Sequence, residues 1–320
     1  MNYKRVYSIL NKDLKIIENE LERVLESGSP ILQESSLHYL QAGGKRIRPI
    51  LVILSAKFGD YTIDTVKDVA VALELIHMAS LIHDDVIDDA YTRRGRPTVK
   101  AKWDNKISMY TGDFILARAL EIITSVEDII AHQVLSHTMV ELSIGEIEQI
   151  RDKYNFNQSM TNYFRRIKRK TALLIAASCR LGAIAANVPE DLQKKLYQFG
   201  YYAGMAFQIT DDILDFTSTA EKLGKPVGED LLQGNITLPV LFAMKEPALK
   251  KKITKVHETM DLSELQNIIE LIKSTDAIQK SIKICNMYLD KAYVILNTLP
   301  ENETKKMLDT MLKFIGKRKF

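Results

Sequence analysis

LIHDDVIDDAYTRRGRPT, residues 81–98, sets four aspartates in six positions at the end of an apolar run and follows them with three arginines. Upstream, from residue 62, apolar side chains recur at three- and four-residue steps, the period of an α-helix. On one helix over 62–89, Asp84 would lie one turn from Asp88, and Asp85 one turn from Asp89, giving two carboxylate stacks at one end. Like charges at this spacing cost roughly 0.2–0.5 kcal/mol per exposed pair, and more when desolvated. Their persistence after MASLIH asks for a positive partner.

The pattern is repeated once. ITDDILDF, residues 209–216, echoes LIHDDVIDD and also follows an apolar run, AGMAFQIT. A single acidic helix end is most simply a solvated one; two copies, each closing an apolar helix, favour metal binding. Ligands that are all oxygen suit Mg²⁺, which takes a few carboxylates and completes its shell with water and phosphate oxygens. The basic residues fit the same chemistry. AGGKRIRP, residues 42–49, puts Lys45, Arg46 and Arg48 behind a glycine pair and across a helix start, where backbone can approach an anion. Arg93 and Arg94 follow the first aspartates, Lys170-Thr171 closes RRIKRK, and Gln208 stands one turn before Asp212. Two anionic groups are implied, one bound through metal and one directly by Lys and Arg.

Helical spacing extends over 4–26, 31–40, 47–58, 62–89, 107–122, 128–151, 159–186, 190–216 and 236–244, with alternating runs scarce. Pro30, Pro49, Pro97, Pro189, Pro226 and Pro300 mark turns or helix starts. With no linker or low-complexity stretch, the 320 residues read as one all-α domain, 1–320. A net charge of +3 argues against a nucleic-acid binder. Cys179 and Cys285 lie in apolar helical stretches and suit core positions in a reducing cytoplasm better than a disulfide. The N-terminus has no signal-peptide pattern, and the apolar stretch 171–188 is interrupted by Arg180, so a buried helix explains it better than a membrane span.

GGKRIRP, the spacing from His77 to Asp84, RRG, KT, FQ before DDILD, and GKPVGEDL occur in the order found in the trans-isoprenyl diphosphate synthases, which the chain resembles over essentially its whole length. HMASLIHDDVIDDA, RGRPT, KTALLIAASC and the ending GKRKF are most similar to catalytic subunits of two-component heptaprenyl synthases. The resemblance implies the isoprenoid synthase fold, with helices surrounding a deep central cavity. It implies successive condensation of isopentenyl diphosphate onto an allylic diphosphate such as farnesyl diphosphate, with a heptaprenyl product for the menaquinone side chain. Asp84, Asp88, Asp211 and Asp215 would bind Mg²⁺, up to three ions bridging the allylic diphosphate, with Asp85 and Asp212 in support. Arg93, Lys170, Thr171, Gln208 and Lys225 would contact the allylic substrate, and Lys45, Arg48, His77 and Arg94 would hold isopentenyl diphosphate. A small non-catalytic subunit (component 1) is the implied partner, or else a second copy in a homodimer.

Small residues below Asp84, Ala79 and Ser80, with Ile76 further down, leave room for a long product where a bulky ring would close the floor. A class I terpene cyclase would carry an Asn/Ser/Glu pattern as its second motif. A regulatory subunit would show eroded aspartates or basic residues. An acidic metal-buffering protein would leave the Arg and Lys sets without a purpose.

Overall fold

In the computed structural model, residues 2–219 and 227–316 are described. Their elements in chain order are α1 (Tyr3–Ile9), α2 (Asn11–Val24), α3 (Pro30–Leu40), α4 (Ile47–Ala56), α5 (Ile63–Ile87), a hairpin of β1 (Thr92–Arg93) and β2 (Arg96–Pro97), α6 (Val99–Lys102), α7 (Asn105–Ile123), α8 (Ile129–Arg151) and α9 (Met160–Ile167). A π-helical turn (Lys168–Ala172) leads into α10 (Leu173–Ala185) and α11 (Glu190–Thr217). The last elements are α12 (Glu229–Leu232), α13 (Leu238–Ala243), α14 (Pro247–Ile253), α15 (Leu262–Ser274), α16 (Ala277–Asn297) and α17 (Glu303–Gly316). The all-α expectation holds, the hairpin being the one strand pair among the described residues.

The chain divides into two compact units, and α8, α10, α11 and α17 contribute residues to both. The first unit takes in residues 1–135, 177–197 and 300–308. Its centre is α5, which packs against α2, α3, α4 and α7. From Val69 to Ile76 every α5 residue is buried, as expected of a helix covered on all sides. A capping box between Thr62 and Thr65 starts it. Glycines set the close approaches: a Cβ on Gly112 of α7 would fall 2.3 Å from His83 Nε2, and one on Gly182 of α10 would fall 2.3 Å from the Val52 carbonyl oxygen.

The second unit takes in residues 136–176, 198–299 and 309–320. Here α13 packs on α9, α15 and α16, burying Leu238, Val240 and Leu241 with Ile268, Ile269 and Ile272. Cys179 and Cys285, one in each unit, are both buried free thiols, as the sequence predicts. No helix among the described residues is long and apolar enough to cross a membrane.

The elements depart from the periodicity in four places. The predicted 4–26 helix splits at Leu10, which turns with φ −90° and ψ 4°. The predicted 159–186 helix contains the π turn, against which Gly145 of α8 and Gly204 of α11 pack closely; Cβ atoms there would meet Arg169 Cβ at 2.7 Å and Ala172 Cα at 2.7 Å. The 62–89 helix stops at Ile87. After residue 244, where the reading found no further helix, α14–α17 follow.

Candidate active site

The end of α5 is built differently from the two stacks expected of it. Asp84 and Asp85 lie in its last turn and are buried, whereas Asp88 caps the helix and Asp89 leaves it with φ 51°. The Ala90 N–H donates to the Asp85 carbonyl and the Asp89 N–H to that of Val86, the pattern of a Schellman stop with aspartate in the position glycine usually fills. Asp89 therefore does not stack on Asp85; it is solvent-exposed and ion-paired with the buried Lys100.

Asp85 is clamped by Arg93, whose Nε donates to Oδ1 at 2.7 Å and whose Nη2 is ion-paired with the same oxygen at 2.6 Å. Its other oxygen, Oδ2, is buried with no hydrogen-bond partner. Burial raises the Asp85 pKa, opposed by the Arg93 hydrogen bond and reinforced by the charges of Asp84 and Asp88.

Arg93 and Arg94 are held by the hairpin. Arg94 and Gly95 are its two loop residues, with φ of 54° and 75°, as a type I′ turn requires. Left-handed backbone suits Gly95; at Arg94 it costs about 1 kcal/mol and fixes where the side chain leaves the loop. The Arg94 guanidinium rests on the glycine loop: a Cβ on Gly44 would fall 3.0 Å from Arg94 Nη1 and 3.1 Å from Arg46 Nη1. The pair Gly43-Gly44 thus serves the site by leaving room for arginine.

The basic residues of that loop separate. Arg46 is buried and ion-paired with Glu18 and with Glu74, at 3.0 Å in the second case, so it ties α2, α4 and α5 together. Lys45 is exposed, and its carbonyl accepts from the Tyr3 hydroxyl at 2.6 Å. Arg48 has a buried Nε without a hydrogen-bond partner. Burial lowers its pKa to about 10, with the Glu74 charge opposing and the Arg94 charge adding, so it keeps its charge at neutral pH. His77, two turns before Asp84 on α5, is pushed well below its ordinary pKa by burial and then by Arg48, Arg94, Arg93 and Arg46. A neutral imidazole among four guanidiniums is a place made for an anion.

In the second unit, α11 carries Gln208, Asp211, Asp212 and Asp215 without interruption. Asp212 is buried; its Oδ1 accepts from Gln208 Nε2 at 2.9 Å and its Oδ2 from the Tyr163 hydroxyl at 2.7 Å. The Thr171 hydroxyl donates in turn to Gln208 Oε1 at 2.6 Å. Burial, then the charge of Asp230, pushes the Asp212 pKa up to about 7. Lys170 leaves the π turn and donates to Gln149 Oε1 at 3.1 Å, with Glu146 at 3.5 Å. Asp215 is buried and Asp211 half-buried. Lys225 lies outside the described residues.

Thr171, Gln208 and Asp212 are thus joined in one hydrogen-bonded chain, and Arg48, His77 and Arg94 in one electrostatic cluster. Tyr163 and Gln149 belong to these arrangements and were absent from the sequence reading. Tyr163 lies 49 residues from its partner Asp212, and no local pattern marks such a pair. Below the first motif, Ala79 and Ile76 are buried, and the half-buried Ser80 turns its hydroxyl to the His77 carbonyl at 2.9 Å.

Among the described residues no three acidic, histidine or cysteine side chains come together closely enough to hold a metal ion alone. The donors nevertheless fit a hard cation. They are carboxylates only, and Asp85 presents a buried oxygen with no hydrogen bond.

Known proteins share this sequence pattern and fold. A heptaprenyl diphosphate synthase component 2 from Bacillus subtilis is 59% identical over 320 residues, spanning 100% of this chain and 92% of the relative. The crystal structure of heptaprenyl diphosphate synthase from Staphylococcus aureus superposes with a TM-score of 0.94 at 44% identity, covering 97% of this chain and 99% of the other. A polyprenyl synthase from Caulobacter crescentus, crystallised with calcium and isoprenyl diphosphate, gives a TM-score of 0.95 at 29% identity, covering 100% and 98%. Residues 29–273 match the family described as polyprenyl synthetase, and the chain belongs to that family.

Proposed function

We propose that this chain is the catalytic subunit of a long-chain trans-polyprenyl diphosphate synthase, adding isopentenyl diphosphate repeatedly to farnesyl diphosphate to give a heptaprenyl product for the menaquinone side chain. One observation carries the reading. An arginine whose shielded Nε is unmet, a half-buried histidine kept neutral and a strained arginine converge beside the helix end that holds Asp84 and Asp85. An anion site adjoining a cation site suits two diphosphates, one bound directly and one through metal. The calcium and isoprenyl diphosphate held by the Caulobacter relative support the same chemistry.

Asp84, Asp88, Asp211 and Asp215 would hold Mg²⁺, which neutralises the leaving diphosphate as the allylic C–O bond breaks. Arg93, Lys170, Thr171, Gln208 and Lys225 would orient the allylic diphosphate. Lys45, Arg48, His77 and Arg94 would hold isopentenyl diphosphate so that its double bond faces the carbon losing the diphosphate. A new C–C bond forms there, and the proton lost from the isopentenyl unit passes to the departing diphosphate. No side-chain nucleophile is used. The apolar face of α5 below Asp84, including Ala79, Ser80 and Ile76, would receive the growing chain and exclude water.

The chain would act as one synthase domain in the cytoplasm. Its partner would be a small non-catalytic subunit, as the name component 2 of the Bacillus relative suggests, or else a second copy of itself. The test is product mass after incubation with Mg²⁺, farnesyl diphosphate and isopentenyl diphosphate, with and without the candidate small subunit. Heptaprenyl diphosphate is expected; no condensation under either condition overturns the proposal. Ala79→Phe should shift the product to shorter chains, and an unchanged mass removes the tunnel assignment.

A further inference from the structure

Tyr39 lies in the last turn of α3, is 4% exposed, and has a hydroxyl that is shielded from solvent without a hydrogen-bond partner. A buried tyrosine hydroxyl normally finds a partner, and leaving it unmet costs on the order of 1–3 kcal/mol. The charged groups that act on it are Arg93, Arg94, Asp85 and Glu74, and it acts in turn on Arg48. Its surroundings therefore belong to the cluster that also holds the unmet Nε of Arg48. Guanidinium N–H groups only donate, and the phenol is a donor looking for an acceptor. What completes this set is a group that accepts several hydrogen bonds and carries negative charge, which is the description of a diphosphate.

We propose that the Tyr39 hydroxyl is a further substrate-binding group, donating a hydrogen bond to the diphosphate of isopentenyl diphosphate between Arg48 and Arg94. This rests on the assignment of the anion site made above. The choice of substrate follows from the neighbours. Arg48 and Arg94 are the two arginines assigned to the directly bound diphosphate, whereas Arg93, assigned to the allylic diphosphate, is ion-paired with Asp85. No recurring motif marks Tyr39; it stands in SSLHYLQ, ahead of the glycine pair, and reads there as an ordinary apolar-face residue of a helix.

The test is Tyr39→Phe, which keeps the ring and removes one oxygen. Isopentenyl diphosphate binding is measured by titration calorimetry on the purified chain, without allylic substrate. The Kd should rise about tenfold, the usual scale for a hydrogen bond to a charged group. In the assembled enzyme the KM for isopentenyl diphosphate should rise in parallel, with kcat and the KM for farnesyl diphosphate within about twofold of the parent. Because the hydroxyl has no partner in the free chain, the melting temperature should be unchanged or higher. An unchanged Kd, a rise confined to the farnesyl diphosphate KM, or a lowered melting temperature overturns the inference. Should the parent chain itself fail to bind isopentenyl diphosphate, the assignment of the anion site falls, and this inference with it.

Discussion

The two acidic motifs share the spelling DDxxD and solve the problem of buried negative charge in opposite ways. At the end of α5 the helix stops, Asp89 is turned out to Lys100, and Asp85 is balanced by a guanidinium delivered from the hairpin. On α11 the helix runs on to Thr217, and Asp212 is held by two neutral donors, Gln208 and Tyr163. Burial pushes both carboxyl groups up: at Asp85 a guanidinium opposes it, whereas at Asp212 burial and the charge of Asp230 outweigh the two neutral donors and carry the pKa to about 7. Identical motifs therefore need not have identical electrostatics, since the difference comes from residues tens of positions away.

The largest expected effect tests whether the first motif acts as a ligand set at all. Asp84→Ala should lower turnover by roughly a thousandfold, equivalent to about 4 kcal/mol of barrier, while circular dichroism stays unchanged. Loss of the helical spectrum would make Asp84 a structural residue instead.

Next comes the contrast between the two balancing partners. Arg93→Leu strands the buried Asp85 carboxylate and should cost about 3 kcal/mol of stability by denaturant unfolding. Tyr163→Phe removes one of two donors from Asp212 and should cost only about 1 kcal/mol. Equal losses at both positions would erase the distinction between charged and neutral support.

The smallest effect is one of pH. In the folded chain Asp212 keeps its proton up to about pH 7, against an ordinary value of 3.8. The folded state thus binds more protons across that window, so stability from this group is full below the lower value and is lost as pH rises through the upper one. Asp212→Asn should flatten the pH dependence of the unfolding midpoint between these limits, measured without metal or substrate. An unaltered slope would place the buried proton elsewhere.

Much of the fold could be read from residue spacing, because buried helices must repeat apolar side chains at the helical period whatever they pack against. That rule identified α5 and α11 and located Asp84 and Asp211 near helix ends. It failed at Leu10, at the π turn beside Gly145 and Gly204, and beyond residue 244, where α14 and α15 are mostly exposed and present only a narrow apolar stripe. It also carried α5 too far, since Asp88 and Asp89 are as compatible with a continuing helix as with a stop. The candidate site was legible where chemistry is concentrated in short motifs. It was illegible at Tyr39, Tyr163 and Arg46, whose partners are distant in sequence.

By itself, then, the sequence determined an all-helical chain with two acidic helix ends, a glycine-arginine loop and membership of a prenyltransferase family. Those properties depend on residue type and local spacing, which one strand of text contains in full. Only the tertiary structure decided which carboxylate is balanced by a cation, which arginine ties helices together and which keeps an unmet N–H, and that a tyrosine outside every motif looks into the same place. Burial and long-range contact set these outcomes, because a charge removed from water takes its character from whatever the fold brings beside it.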